Sequence, residues 1–144
     1  MNLLKNAKIA EVNAPVAVAA NTDDNSDRLD MAGYDGVCFI VPIVDSVATG
    51  VATITVEQND SDSDTGMTAI TSASARLTCT TSDDINDKIL VVDVYRPTKR
   101  YVQGVITSAV ANIAFGNTIA IQYKGRKDPQ TEHADTKSTF VVGS

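Results

Sequence analysis

Residues 88–127 read KILVVDVYRPTKRYVQGVITSAVANIAFGNTIAIQYKGRK, and this block limits the fold more than any other part of the chain. In its first segment Leu90, Val92 and Val94 fall on one side, and Ile89, Val91, Asp93 and Tyr95 on the other. Strand side chains alternate between faces, whereas helical ones recur every three or four residues, so period two means β structure. Residues 100–109 and 118–123 continue the pattern. The RPTK tetrapeptide predicts a hairpin-style connection between the first two strands, and Phe115-Gly116-Asn117 a turn into the third.

The rest of the chain agrees. Residues 51–58, VATITVEQ, alternate cleanly, with Ala52, Ile54, Val56 and Gln58 opposite Val51, Thr53, Thr55 and Glu57. Residues 37–44, VCFIVPIV, are almost continuously apolar, as expected of a strand buried on both faces. Pro42 interrupts that run and suits an edge or a bulge, because proline has no N–H for the ladder. PVAVAA at residues 15–20, the alternating residues 28–32, and residues 67–71 and 75–80 read as shorter strands, and residues 21–27 (NTDDNSD) as a polar loop. Gly33 and Gly36 around Tyr34 mark a turn. Valine, isoleucine, threonine and alanine dominate, while Leu3, Leu4, Leu29, Leu77 and Leu90 are the five leucines and tryptophan is absent. β-Branched side chains are stiff at χ1 and fit a pleated surface, so the core is expected to be thin and aliphatic. The expectation is an all-β fold: one β-sandwich, jelly-roll-like or immunoglobulin-like, with about eight to ten short antiparallel strands. Residues 1–144 form one domain in this reading, with an extended N-terminal arm (residues 1–13) and a polar C-terminal tail (residues 128–144). Such polar ends are ordered by docking, here expected on a neighbouring molecule.

Charge is unevenly distributed. Up to Tyr95 there are fifteen acids and five bases, net −10; from Arg96 onward there are seven bases and three acids, net +4, which together recover the total of −6. An acidic total argues against non-specific nucleic-acid binding, which needs a broad phosphate-neutralising surface. A chain of two signs is suited to complementary contact with copies of itself or with a protein partner. No apolar run approaches the roughly 20 residues that cross a bilayer, and the first residues, MNLLKNAKIAEV, are too short and polar for a secretory signal. Cys38 and Cys79 lack any CxxC or Cys/His company and read as reduced thiols acting as small hydrophobes.

Catalytic chemistry finds no support in the motifs. The single histidine, His133, lies in the polar stretch DPQTEHADT without a nucleophile nearby, and no GxSxG, Walker-type loop or HExxH is present. Asp60, Asp62 and Asp64 alternate as calcium ligands do. An EF-hand counted from Asp60 nevertheless needs Gly where Thr65 stands and Glu where Thr71 stands, so an acidic hairpin tip is the better reading. The remaining constellation is basic: Arg96, Lys99 and Arg100 at one turn, then Lys124, Arg126 and Lys127 after the last strand, with Tyr95, Tyr101 and Tyr123 close in sequence. Arginine mixed with tyrosine is typical of interface anchors, although charged strand ends also serve to discourage edge aggregation. The candidate partner interface is Arg96, Lys99, Arg100, Tyr101, Arg126 and Lys127.

Two stretches carry a family resemblance. One is Asp30-Met31-Ala32-Gly33-Tyr34 leading into GVCFIVPI, with the hairpin VATITVEQNDSDSD after it; the other is DKILVVDVYRPTKRYVQGVIT with NTIAIQYKGRKDP. Together, over residues 28–129, they resemble small tailed-phage virion proteins encoded close to the major capsid protein. The chain departs from that pattern at Thr65-Gly66-Met67, where an aromatic is expected after the acidic tip. The resemblance implies a non-enzymatic virion structural protein of the capsid decoration or cement type, with no catalytic residues to carry over. It implies a homo-oligomer assembled in the host cytoplasm, bound to the phage major capsid protein at the head surface and reinforcing contacts between capsid subunits. No cofactor, metal, nucleic acid, membrane or small-molecule substrate is expected. A head–tail connector or tail component of the same particle is the alternative, and a carbohydrate- or host-surface-binding module a further one.

Overall fold

In the computed structural model, which describes residues 2–124, one helical turn, α1 (Leu3–Asn6), precedes eleven strands. They are β1 (Ala7–Asn13), β2 (Val16–Ala19), β3 (Thr22–Asn25), β4 (Leu29–Asp30), β5 (Gly36–Ser46), β6 (Val51–Asn59), β7 (Thr68–Thr78), β8 (Ile89–Tyr95), β9 (Tyr101–Ala109), β10 (Ile113–Phe115) and β11 (Thr118–Tyr123). Several are halves of one longer ribbon. β10 and β11 run along β5 one after the other, Ile113 opposite Ser46 and Tyr123 opposite Gly36. β2 and β1 lie along them in the same manner, and β3 and β4 share β9.

Eight antiparallel ribbons result. One sheet holds β1/β2, β10/β11, β5 and β8; the other holds β3/β4, β9, β6 and β7. The first ribbon pairs with the last, the second with the seventh, the third with the sixth and the fourth with the fifth. Such nesting is one long hairpin rolled into two sheets, a jelly roll. The expected β-sandwich is therefore present, in the jelly-roll rather than the immunoglobulin-like form.

The breaks in the first sheet fall on one line. Pro15 follows β1, Gly116 and Asn117 separate β10 from β11, and Pro42 stands beside them in β5. The Ile43 N–H donates to Lys88 O on the β8 side at 2.8 Å, so Pro42 turns its missing donor the other way, toward Gly116. Gly116 N–H donates to Pro42 O at 2.9 Å, and a Cβ on Gly116 would meet Pro42 Cγ at 2.8 Å. Proline is tolerated in a central strand here because the neighbouring ribbon is itself broken at that level.

Between the sheets lies an aliphatic core organised by Phe39 and Phe115, with Ile43, Ile54, Ile106, Ile113, Val37, Val41, Val56 and Val102 almost wholly buried. A Cβ on Gly104 of β9 would meet Phe39 Cδ1 at 3.3 Å, so the glycine makes room for the ring from the opposite sheet. Each fully buried side chain of this kind contributes roughly 1.5–3 kcal/mol, an upper range because unfolded chains already bury some surface.

Five local expectations are corrected. RPTK is not a hairpin: β8 pairs with β5 and β9 with β6, so residues 96–100 cross from one sheet to the other. Phe115-Gly116-Asn117 is a jog within one ribbon, not a turn. Residues 21–27 are not all loop, since β3 pairs with β9 from Thr22 to Asn25; Thr107 Oγ1 donates to Asp23 on the outer face at 2.8 Å, and Asn13 Nδ2 donates to Asp24 at 2.8 Å. Residues 67–71 and 75–80 join into the single β7, across a bulge where Ser72 adopts φ +64°. The N-terminal arm is zipped onto its own chain: residues 7–13 pair with β11, whose free edge offers the hydrogen bonds that a neighbour was expected to supply. The expected polar C-terminal tail, residues 128–144, lies outside the described residues. Cys38 and Cys79 are both free thiols.

Candidate functional site

The crossing segment between β8 and β9 carries three of the six residues expected at an interface, Arg96, Lys99 and Arg100, and Tyr101 follows as the first residue of β9. The segment forms one wall of an open groove of about 510 Å³, with Met31, Tyr34 and Asp35 opposite. Two sets of hydrogen bonds fix this wall. The Gln58 side chain at the end of β6 accepts from the N–H groups of Thr98 (3.1 Å) and Lys99 (3.3 Å) and donates to Thr98 Oγ1 (3.0 Å). Arg96 N–H donates to Asp35 O at 2.6 Å, and Met31 N–H to Arg100 O at 2.8 Å, tying the segment to the β4–β5 loop. Arg96 takes a left-handed φ of +54°, which turns the chain out of β8 toward the second sheet.

The cations divide into two groups. Arg100 grips Asp30 with Nε at 3.0 Å and Nη2 at 2.8 Å, and its guanidinium stands 5.3 Å from the Tyr101 ring centroid. That hydrogen bonding holds the Asp30 carboxyl below its ordinary range, assisted by the Ala32 N–H, and raises Arg100. Lys99 Nζ lies 3.9 Å from Asp60 Oδ2, at the limit of an ion pair. Arg96 instead sits over the Tyr95 ring at 5.1 Å, joined by Lys124 at 4.9 Å, and neither has a carboxylate partner among the described residues. Sequence reasoning placed Lys124 at this margin, and the fold delivers it there because β11 and β8 flank β5. Arg126, Lys127 and His133 lie outside the described residues.

The acidic tip answers to the same electrostatics. Arg28 donates through Nε to Asp62 at 2.6 Å and through Nη1 to Asp64 at 2.7 Å. Asn59 Nδ2 binds the carbonyls of Ser63 (2.9 Å) and Thr65 (3.0 Å), closing the loop on itself. The carboxylates that resemble a calcium loop are thus held by an arginine. Two ion pairs join the acidic and basic parts of the chain, Asp30–Arg100 and Asp60–Lys99, while Arg28–Asp62/Asp64 lies within the acidic part.

A second surface escaped the sequence-based list. The outer face of the first sheet carries Ile40, Val91, Ile119 and Ile121, with Val91 44% and Ile89 56% exposed. Gly36 leaves space there for Tyr123, whose ring covers it and whose hydroxyl donates to Asp93 Oδ1 at 2.6 Å. Burial and the Asp93 carboxylate together raise the Tyr123 phenol well above its ordinary value. The signal for this face was present in β8, whose alternation is apolar on both sides.

No protein-family model and no curated protein sequence matches the chain. Its fold is similar to that in the crystal structure of PBSX exported protein XepA, with a TM-score of 0.51 and 16% sequence identity. The likeness covers 100% of this chain and 45% of that one, so the chain spans less than half of that protein's length, and at this identity what the two share is the fold.

Proposed function

We propose that this chain is a structural protein of a phage particle, binding the capsid surface and reinforcing contacts between capsid subunits. The observation that carries the reading is the basic, tyrosine-bearing wall of residues 96–101, exposed yet fixed by Gln58 and the β4–β5 loop. A wall held in place before contact loses little side-chain and backbone freedom on binding. Arginine and tyrosine there supply the usual anchors of a protein interface, and Arg96, which lacks a carboxylate partner among the described residues, adds charge that suits an acidic shell surface. Support also comes from the sequence resemblance to phage virion proteins, from the jelly roll, a fold that serves viral capsid and lectin domains among others, and from the fold shared with an exported protein of PBSX, a phage-derived element. Many modest contacts repeated by shell symmetry would stabilise the capsid through mass action and avidity.

The test is occupancy on purified heads. Wild-type protein is expected to bind undecorated heads in many copies, more weakly as salt rises, and Lys99→Glu with Arg100→Glu to bind far less while melting as a folded protein. Unchanged occupancy would remove the basic wall from the interface. Absence of the protein from purified particles would remove the virion reading altogether. A single ring of copies at the vertex would transfer the assignment to a head–tail connector.

A further inference from the structure

The two outer faces of the sandwich differ in a way that one molecule alone does not explain. Across the first sheet Ile119, Ile40 and Val91 stand in one register row that ends in Glu11 on β1, Ile9, Ile121 and Cys38 in the next, which ends in Asp93 on β8, and Pro42 beside Ile89 in a third. Val18, Val44, Ile89, Val91 and Tyr95 are the exposed large hydrophobics on strands among the described residues, and all five belong to this sheet. An antiparallel sheet with one solvated face normally alternates apolar with polar; strands apolar on both sides belong where both faces are covered. A contiguous apolar patch of this kind marks an interaction site.

Charge at the ends of the face indicates what covers it. At the Gly36 end stand Arg96 and Lys124 around Tyr95, with Asp35 and the Tyr123-bonded Asp93 the acids beside them. At the Ser46 end stand the exposed Asp83, Asp84 and Asp87, with Lys88 the one base among them. Their loop is held to β5 by hydrogen bonds from Asp83 N–H to Ser46 O at 2.9 Å and from Asp87 N–H to Ile43 O at 3.0 Å. The paired residues Ile40 and Val91 lie near the middle of this span. A twofold axis lying in the interface plane, across the strands over that middle, exchanges the two ends. It lays apolar rows on apolar rows and sets the basic end of one molecule against the acidic loop of the other, so the surface is complementary to itself.

We infer that the outer face of the β1–β11–β5–β8 sheet is a self-association surface, on which a second copy of this chain packs face to face about a twofold axis near Ile40 and Val91. This does not depend on the particle to which the protein belongs. Its test reads solution mass rather than head occupancy, so the two proposals fail separately.

Sedimentation of the full chain is expected to show a reversible dimer that weakens with salt. Val91→Lys, which sets a charge at the axis, should raise the dissociation constant about 100-fold or more. Ser74→Lys, the same charge on the exposed face of β7, should leave it unchanged. In a Cys38→Ala background, Val91→Cys should form a disulfide-linked dimer on mild oxidation, because only a twofold brings the two copies of residue 91 together. A monomer at all concentrations overturns the inference, as does an oligomer indifferent to Val91→Lys. An oligomer that Val91→Lys weakens but that gives no cross-link at residue 91 overturns the twofold arrangement.

Discussion

The two sheets share one core and nearly one alphabet of β-branched residues, yet their outer faces differ in how much apolar surface they carry. On the first sheet the outward positions include Ile40, Val44, Ile89, Val91, Ile119 and Ile121, with Glu11 and Asp93 the charged residues in the same rows. On the second they include Thr53, Thr55, Ser74, Arg76, Asp23 and Thr107, with Val105 and Tyr101 the apolar and aromatic exceptions. Valine and threonine have similar shapes and similar strand preference, so the choice between them is not about making a strand. What it sets is whether the face is left to water. The second sheet reads as finished by solvent and the first as finished by another surface, whereas inside the sandwich the distinction disappears and Phe39 reaches toward Gly104 across the gap.

That shared interior gives the largest expected effect. Phe39→Ala removes one of the two largest buried side chains of the first sheet and leaves a cavity bordered by the second, at a cost of about 3–5 kcal/mol. If both sheets stand on one core, amide protection in β5 and β9 should fall together in hydrogen exchange. Loss confined to β5 would mean that the sheets are separable, and the contrast between their outer faces would then be one between two units.

Gln58 tests the polar side of the contrast. On β6 its amide satisfies two backbone N–H groups of the crossing segment and a threonine hydroxyl. Gln58→Ala should cost about 0.5–1.5 kcal/mol, the usual net worth of a hydrogen bond, because water reaches the donors that lose their acceptor. Residues 96–100 should then exchange faster while β8 keeps its protection. An unaltered melting temperature would show that the wall is held by the β4–β5 loop alone.

A smaller effect on stability, with a larger one on surface behaviour, is expected from making the first face resemble the second. Ile40→Thr, Val91→Thr and Ile119→Thr keep β-branching at outward positions, where substitutions typically change stability by about 0.5 kcal/mol or less each. Retention on a hydrophobic column should drop sharply. Retention equal to wild type would mean that these three side chains do not make the sticky face.

How much of this was legible follows from what period two encodes. Alternation in residues 51–58 and 89–95 reports which side chains share a face, and Leu90, Val92, Val94, Ala52, Ile54 and Val56 are buried as expected. It does not report which strand lies alongside. The five residues after Tyr95 fit a hairpin or a crossing equally well, and only the pairing of β9 with β6 decides between them. β3 was hidden because Thr22, Asp23, Asp24 and Asn25 have the composition of a loop; β9 holds them in place by backbone pairing, with little apolar burial. At the candidate site the basic residues were identifiable by type, and Lys124 arrived where expected. Their carboxylate partners were not identifiable, since Asp30 and Arg100 are 70 residues apart in sequence and meet only through the β4–β9 ladder. The apolar outer face was written in Ile89 and Val91, but calling it exposed required knowing that β8 ends its sheet.

The smallest effects distinguish the two sheets by pH. On the first, Tyr123 is raised by burial and then by its bond to Asp93. A folded-state pKa above the ordinary value of about 10 gives stability that is complete below that value and is lost as pH rises through the folded pKa. On the second, Asp30 is lowered chiefly by its hydrogen bonds from Arg100. Its contribution is therefore present above the ordinary carboxylate value of about 3.9 and is lost as pH falls through the folded pKa. Tyr123→Phe should flatten the alkaline decline in melting temperature and leave the acid one, whereas Asp30→Asn should flatten only part of the acid decline, since the exposed Arg100 pair is screened by solvent. If Tyr123→Phe leaves the alkaline slope unchanged, the phenol does not couple to folding, and the aromatic cover over Gly36 adds contact area to that face without adding a proton-linked restraint.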